Sequence, residues 1–299
     1  MREIRSVTTA FLKAAVRRTR WLRLFIVFSL LATSGCAWLD AQQRQLIYRP
    51  TRGAPADFAN LRAGDERYFV DVPQTSGQHV EMWWLPHPDE NAPTLLYFHG
   101  TFRTLFNNIH KIDALREAGF SVLAVEYRGW GLSTPITPSE ETIIQDADVA
   151  WAELQRREPR ASERVLYGHS MGTGVAVDLA SRLHAKTDYG ALILESALTS
   201  FTDLARDAGF FPGLLTQFNN ERFASIEKIA RVQAPLLMIH GSDDTTIPMR
   251  LGQKLFAAAN PPKQWLTIEG GEHSNLQEAG HVQYQAMLQN FKKKYLLNP

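Results

Sequence analysis

Apolar positions along this chain fall into two alternating rhythms. Short, largely apolar runs at Thr94–Phe98, Ser121–Glu126, Val165–Tyr167, Ala191–Leu194, Pro235–Ile239 and Gln264–Ile268 alternate with longer stretches of helical character at Leu105–Ala118, Pro138–Arg157, Thr173–Leu183, Pro248–Ala259 and Val282–Tyr295. Apolar runs of this kind suit strands buried on both faces, and their alternation with helices predicts a mostly parallel sheet covered on both sides. Ligands of such sheets bind beyond the carboxyl ends of the strands. Earlier, Tyr68–Val72 and His79–Leu85 flank Thr75-Ser76-Gly77 and predict a hairpin. The rhythm breaks at Thr199–Glu227, where Phe201, Phe210, Phe211, Phe218 and Phe223 crowd together. This segment is expected to form a short lid over the strand ends. Residues 36–63 lack strong periodicity and read as a tether, and no linker divides residues 64–299, which are expected to form one domain.

At 44% hydrophobic and 21% charged residues, the composition is that of a globular chain and argues against disorder or repeats. The formal net charge of +1 conceals an uneven distribution. Residues 1–35 hold seven of the 32 Lys and Arg and one of the 31 acids, leaving 25 basic against 30 acidic residues in the remainder. No basic patch is left to engage nucleic acid. After the basic segment comes the apolar run Leu24–Gly35, too short to span a bilayer and of the length of a signal-peptide core. Residues 1–35 are therefore expected to be an export signal. Thr33-Ser34-Gly35-Cys36 resembles the lipobox of bacterial lipoproteins, although an aliphatic residue usually stands where Thr33 does. That resemblance implies export across the bacterial inner membrane, cleavage before Cys36, and a lipid on Cys36 that anchors the chain to the envelope, facing the periplasm. Cys36 is the single cysteine, so no internal disulfide can form.

The stretch with the clearest chemistry is Gly168-His169-Ser170-Met171-Gly172, between the apolar run Val165–Tyr167 and the helical stretch that follows. Its G-x-S-x-G spacing fits a nucleophile elbow, a strand-to-helix turn too tight for side chains two residues either side of the serine. Such a turn raises the Ser170 hydroxyl above the sheet and points a helix N-terminus at an oxyanion formed beside it.

A serine nucleophile needs a base above the same strand ends. Of the nine histidines, His79, His87 and His110 fall on the N-terminal side, His184 ends a helix far from the elbow and His281 opens the last helix. His99 and His240 each end a strand before a glycine, a position suited to bracing a turn, and His169 must point away from its neighbour in a tight turn. His273 follows the last strand in the flexible loop Gly270–Asn275 and can reach the serine. An acid must then orient the imidazole. Asp243 and Asp244 lie just past the run Pro235–Ile239, and Glu195 just past Ala191–Leu194, as candidates.

Five motifs in order, His99-Gly100-Thr101, Tyr127–Ser133, Gly168–Gly172, His240–Pro248 and Gly271-Glu272-His273, resemble those of α/β-hydrolases of the short-lid serine-hydrolase branch. Monoacylglycerol lipases, protein depalmitoylases and serine-aminopeptidase-like proteins belong to that branch, and the likeness extends over about Gln45–Leu297. It implies an α/β-hydrolase fold, a mostly parallel sheet of about eight strands with helices on both faces and a short lid. The order Ser170, Asp244, His273 is that of the family's triad, and its His-Gly-x-x-Asp-x-x-Val-Pro pattern lands the acid on Asp244. By the same likeness the oxyanion hole is formed by the Thr101 and Met171 backbone amides, and Arg128–Ser133 is a structural loop with Trp130 lining the site. The expected activity is cleavage of a small-molecule carboxylic ester or thioester through an acyl-enzyme, with no metal or organic cofactor. An amidase or aminopeptidase with the same triad, and a lipid-anchored binding protein without catalysis, are the alternatives.

Overall fold

A computed structural model describes residues 38–209 and 221–297. The leader, Cys36, and the lid residues Phe210, Phe211 and Phe218 lie outside the described residues.

Helix α1 covers residues 38–48, and the compact unit built on the sheet begins at Ile47. Its eight strands are β1 (Glu66–Asp71), β2 (His79–Leu85), β3 (Thr94–Phe98), β4 (Ser121–Glu126), β5 (Arg164–His169), β6 (Ala191–Glu195), β7 (Leu236–Gly241) and β8 (Lys263–Ile268). Among them run α2 (Leu105–Glu117), α3 (Glu140–Arg157), α4 (Met171–Arg182), the short α5 (Phe201–Asp207) and α6 (Ser225–Lys228), and α7 (Met249–Ala258). The short α8 (Leu276–Ala279) and α9 (His281–Tyr295) close the order. The sheet order is β1-β2-β4-β3-β5-β6-β7-β8. The hairpin partners β1 and β2 are antiparallel, β2 is antiparallel to β4, and every pairing from β4 to β8 is parallel. Strand and helix spans agree with the expected runs to within a few residues.

The central strands show why apolar runs fold this way. Successive side chains of a strand face opposite sides, so Leu96 and Phe98 of β3 enter one apolar cluster while Leu95 and Tyr97 enter the other. Leu166 and Tyr167 of β5 divide in the same manner. A polar residue at any of these positions would be stranded in one core or the other.

Helix α3 begins at Glu140, two residues later than the expected start at Pro138. Ser139 is its cap: the hydroxyl accepts from the Thr142 amide at 3.1 Å, and Thr142 Oγ1 accepts from the Ser139 amide at 2.9 Å. A side-chain cap needs extended backbone at the cap position, which is what Ser139 adopts.

Tyr48, within the stretch expected as a tether, is fully buried. Its hydroxyl bonds to Glu221 and its ring meets Trp130 edge-on at 6.1 Å, with Phe201 and Phe223 close by. Phe201 and Phe223, expected in the lid, pack against each other at 5.5 Å and join this cluster. Trp130 has no exposed surface and also packs on His99 and Tyr127, so it fills the core beneath its loop where a site-lining role was expected. The same loop is fixed through Arg128, whose Nε donates to Asp146 of α3 at 2.6 Å.

Candidate active site

Strand β5 ends at His169, and α4 starts at Met171, leaving Ser170 alone to make the turn. The serine takes φ 57° and ψ −124°, a conformation that L-residues rarely adopt. Close packing around the elbow maintains it. A β-carbon added to Gly172 would stand 2.1 Å from the Phe98 carbonyl oxygen, so β3 and α4 meet there only because the residue is glycine. Ser170 itself is nearly buried, at 8% exposure.

The loop after β8 carries His273 back over the strand ends. Its Nε2 lies 2.9 Å from Ser170 Oγ, and its Nδ1 lies 2.9 Å from Asp244 Oδ2 and 3.1 Å from Oδ1. An ionised carboxylate can only accept, so Nδ1 carries the ring proton and Nε2 is left to accept from the serine hydroxyl. Burial alone would raise the Asp244 pKa. The His240 ring, 3.4 Å from Oδ2, and hydrogen bonds from His273 and the Ile247 amide outweigh it and hold the carboxyl well below the usual carboxylate range. The acid is also fixed by its own loop, since Oδ1 accepts from the Thr246 and Ile247 amides at 3.0 and 2.8 Å. His240 braces that loop by donating from Nε2 to the Ile247 carbonyl at 2.8 Å.

The three acid candidates fall in different places. Asp243 is exposed and bonds to Ser242 Oγ. Glu195 is fully buried, where its carboxylate bonds to Lys111 and accepts from the Tyr167 and Tyr284 hydroxyls. Asp244 alone of the three contacts the His273 ring.

The expected oxyanion donors, the Thr101 and Met171 amides, belong to the loop after β3 and to the start of α4. Met171 is the first residue of α4, whose N-terminus carries partial positive charge. Thr101 follows Gly100, and the latter's backbone lies so close to the elbow that an added β-carbon would stand 3.3 Å from Ser170 Oγ. His99 Nδ1 donates to the Gly100 carbonyl at 2.6 Å, while its Nε2 lies 3.0 Å from Glu126. Glu126 in turn accepts from the Leu105 amide at 2.9 Å, where α2 begins. The Gly100 carbonyl and the Thr101 N–H belong to one planar peptide, so holding the oxygen also fixes the direction of the N–H. Among the described residues, no three His, Cys, Asp or Glu side chains are grouped as a metal ion would need.

His169, expected from the sequence to point away from its neighbour, has its Nε2 2.9 Å from the His273 backbone carbonyl. Ser196, just past β6, reaches the same oxygen at 3.3 Å. Neither contact has a sequence signal, because both depend on where a distant loop returns.

Residues 89–227 match the family model described as serine aminopeptidase, S33. The chain is 32% identical over 265 residues to an uncharacterized protein of Mycobacterium tuberculosis, covering 87% of this chain and 91% of that protein. It is 33% identical over 201 residues to the lysophosphatidylserine lipase ABHD12 of Rattus norvegicus, covering 62% of this chain but only 50% of that enzyme. Among solved structures, an esterase of Pyrococcus furiosus superposes with a TM-score of 0.62 over 82% of this chain and 98% of that one. At 17% identity that likeness bears on the fold alone.

Proposed function

The chain belongs to the α/β-hydrolase superfamily of serine hydrolases, and from that premise we propose that it cleaves a carboxylic ester or thioester at Ser170 through an acyl-enzyme. Ser170 Oγ attacks the acyl carbonyl while His273 Nε2 takes its proton, and Asp244 stabilises the resulting imidazolium. The Thr101 and Met171 amides hold the oxyanion. Collapse of the tetrahedral intermediate breaks the bond to the alcohol or thiol, which leaves with the proton from His273. Water, activated by the same imidazole, then releases the acid and restores the serine.

The observation that carries this reading is the unbroken run of contacts from Ser170 Oγ through His273 to Asp244, each 2.9 Å, on a serine held at positive φ. The rat relative is named for a lipid ester, so an acyl ester with a long chain is the first substrate class to try. The family model's description as an aminopeptidase makes an aminoacyl amide the necessary comparison. The test is a panel of p-nitrophenyl esters of graded acyl length beside a lysophospholipid, an acyl thioester and an aminoacyl amide. Turnover of esters or thioesters well above the amide is expected, and preferential turnover of the amide would replace the reading with a peptidase.

We also propose that the chain is exported and held at the envelope by a lipid on Cys36. The basic segment, the short apolar run and the single cysteine support this. Mass spectrometry of the mature N-terminus should find a lipidated Cys36, and an intact Met1 would overturn it.

A further inference from the structure

Tyr167 and His169 stand two residues apart in β5 and therefore share one face of the sheet. On that face a single buried carboxylate collects much of the structure behind the site. Glu195 of β6, paired in register with His169, bonds to Lys111 of α2 and accepts from Tyr167 of β5 and Tyr284 of α9. Lys111, only 3% exposed, also donates to Gln277 of α8 at 2.8 Å. The segments bearing the oxyanion loop, the serine and the histidine are thus tied together behind the reacting groups.

His169 lies between that network and the base. Its ring centroid is 5.1 Å from that of His273, and its Nε2 is 2.9 Å from the His273 carbonyl oxygen. A carbonyl oxygen only accepts, so Nε2 must carry the proton. The loop that brings His273 to the serine is entered through Gly270, at φ 70°, and Gly271. The start of that loop is held by Ser242 Oγ, which accepts from the Gly270 amide at 2.8 Å, and by the Gly271 carbonyl, which accepts from the Asp243 amide at 3.0 Å. At His273 itself the grip is on the carbonyl, from His169 at the end of β5 and Ser196 just past β6.

We infer that His169 is a positioning residue for His273: its neutral ring donates Nε2–H to the His273 carbonyl and so sets where the catalytic imidazole stands between Ser170 and Asp244. This rests on the reading of His273 as the base. The donor must also stay uncharged, because a cation at His169 would oppose the imidazolium that forms on the neighbouring ring. The charged or titratable groups acting on it are Lys111 of α2, Glu195 of β6 and His273 itself. Burial, with Lys111 nearby, pushes the His169 imidazole down to about 3 against the opposing pull of Glu195.

The test compares kcat and KM of the full chain on a p-nitrophenyl ester for His169→Leu, His169→Gln, His169→Asn and Ser170→Ala. A glutamine amide nitrogen can take the place of Nε2, whereas asparagine falls short of it. Expected are a fall in kcat of about 10- to 100-fold in the leucine variant with KM within about threefold, recovery of most of that loss by glutamine, and little recovery by asparagine. Wild-type kcat in His169→Leu, or equal kcat in the glutamine and asparagine variants, would overturn the inference while leaving the catalytic reading intact. If the leucine variant fails to fold, the two amides, alike in polarity, still decide it. Wild-type turnover in Ser170→Ala would instead remove the catalytic reading and this inference with it.

Discussion

Gly100 lies so close to Ser170 that a β-carbon added to it would stand 2.8 Å from the serine Cβ. The contact joins the loop after β3, which carries Thr101, to the elbow after β5. Since the neighbouring atom is Ser170 Cβ, the clash cannot be relieved without moving one of the two.

Gly100→Ala is accordingly expected to displace the Thr101 donor or the serine. Loss of one oxyanion donor costs on the order of 10²–10³ in kcat, and a drop of that size is expected with the fold retained. Wild-type kcat in a folded Gly100→Ala variant would show that Thr101 does not serve the oxyanion.

Asp244→Asn should lower kcat about 10⁴-fold, by analogy with loss of the triad aspartate in serine proteases, because the imidazole is left in the wrong tautomer. Asp243→Asn, at an exposed position, should change the rate by less than about tenfold. Glu195→Gln should act on stability more than on chemistry, since it breaks a buried ion pair with Lys111. Measuring kcat and the melting temperature of the three together distinguishes them. Near-normal turnover in Asp244→Asn with collapse in another would transfer the role.

Acid should weaken the fold through Asp244. Its native pKa is depressed below the ~3.9 of an unfolded chain, so the ionised carboxylate adds stability above that pH. The increment is lost as pH falls toward the native value. Asp244→Asn is therefore expected to lower the urea midpoint more at pH 7 than at pH 3. Equal losses at the two pH values would show that the carboxyl is not held ionised in the fold.

Trimming the chain to residue 64 should destabilise it, because Tyr48 is removed from the cluster with Trp130, Phe201 and Phe223. Loss of a buried aromatic side chain costs about 3–5 kcal/mol, and Tyr48→Ala in the full chain should lose a comparable amount by urea denaturation. An unchanged midpoint in both would return residues 47–63 to the status of a tether.

The strands were legible because burial on both faces leaves a contiguous apolar run such as Leu95–Phe98. The elbow was legible because a turn that tight admits glycine at fixed spacing around the serine. Other features depend on tertiary meetings that no local pattern encodes. Tyr48 looks like one apolar residue in a polar stretch until Trp130 and Phe223 close around it. Trp130 is adjacent in sequence to site loops but faces the core, and Lys111 and Glu195 look like a surface lysine and a spare acid until they are found buried against each other. His169 is expected from the sequence to point away from its neighbour and to have no part in the site, yet its ring lies 5.1 Å from that of His273. What lies on that side is visible only once the loop from β8 has returned.

The proposed chemistry requires an acyl-enzyme on Ser170. The most direct measurement is the intact mass of wild type and Ser170→Ala after exposure to a fluorophosphonate, with ester hydrolysis followed on the same samples. One phosphonyl group is expected on the wild type, located on Ser170, and none on the variant, with a loss of hydrolysis of about 10⁴ or more. Equal labelling and equal hydrolysis in the variant would contradict it.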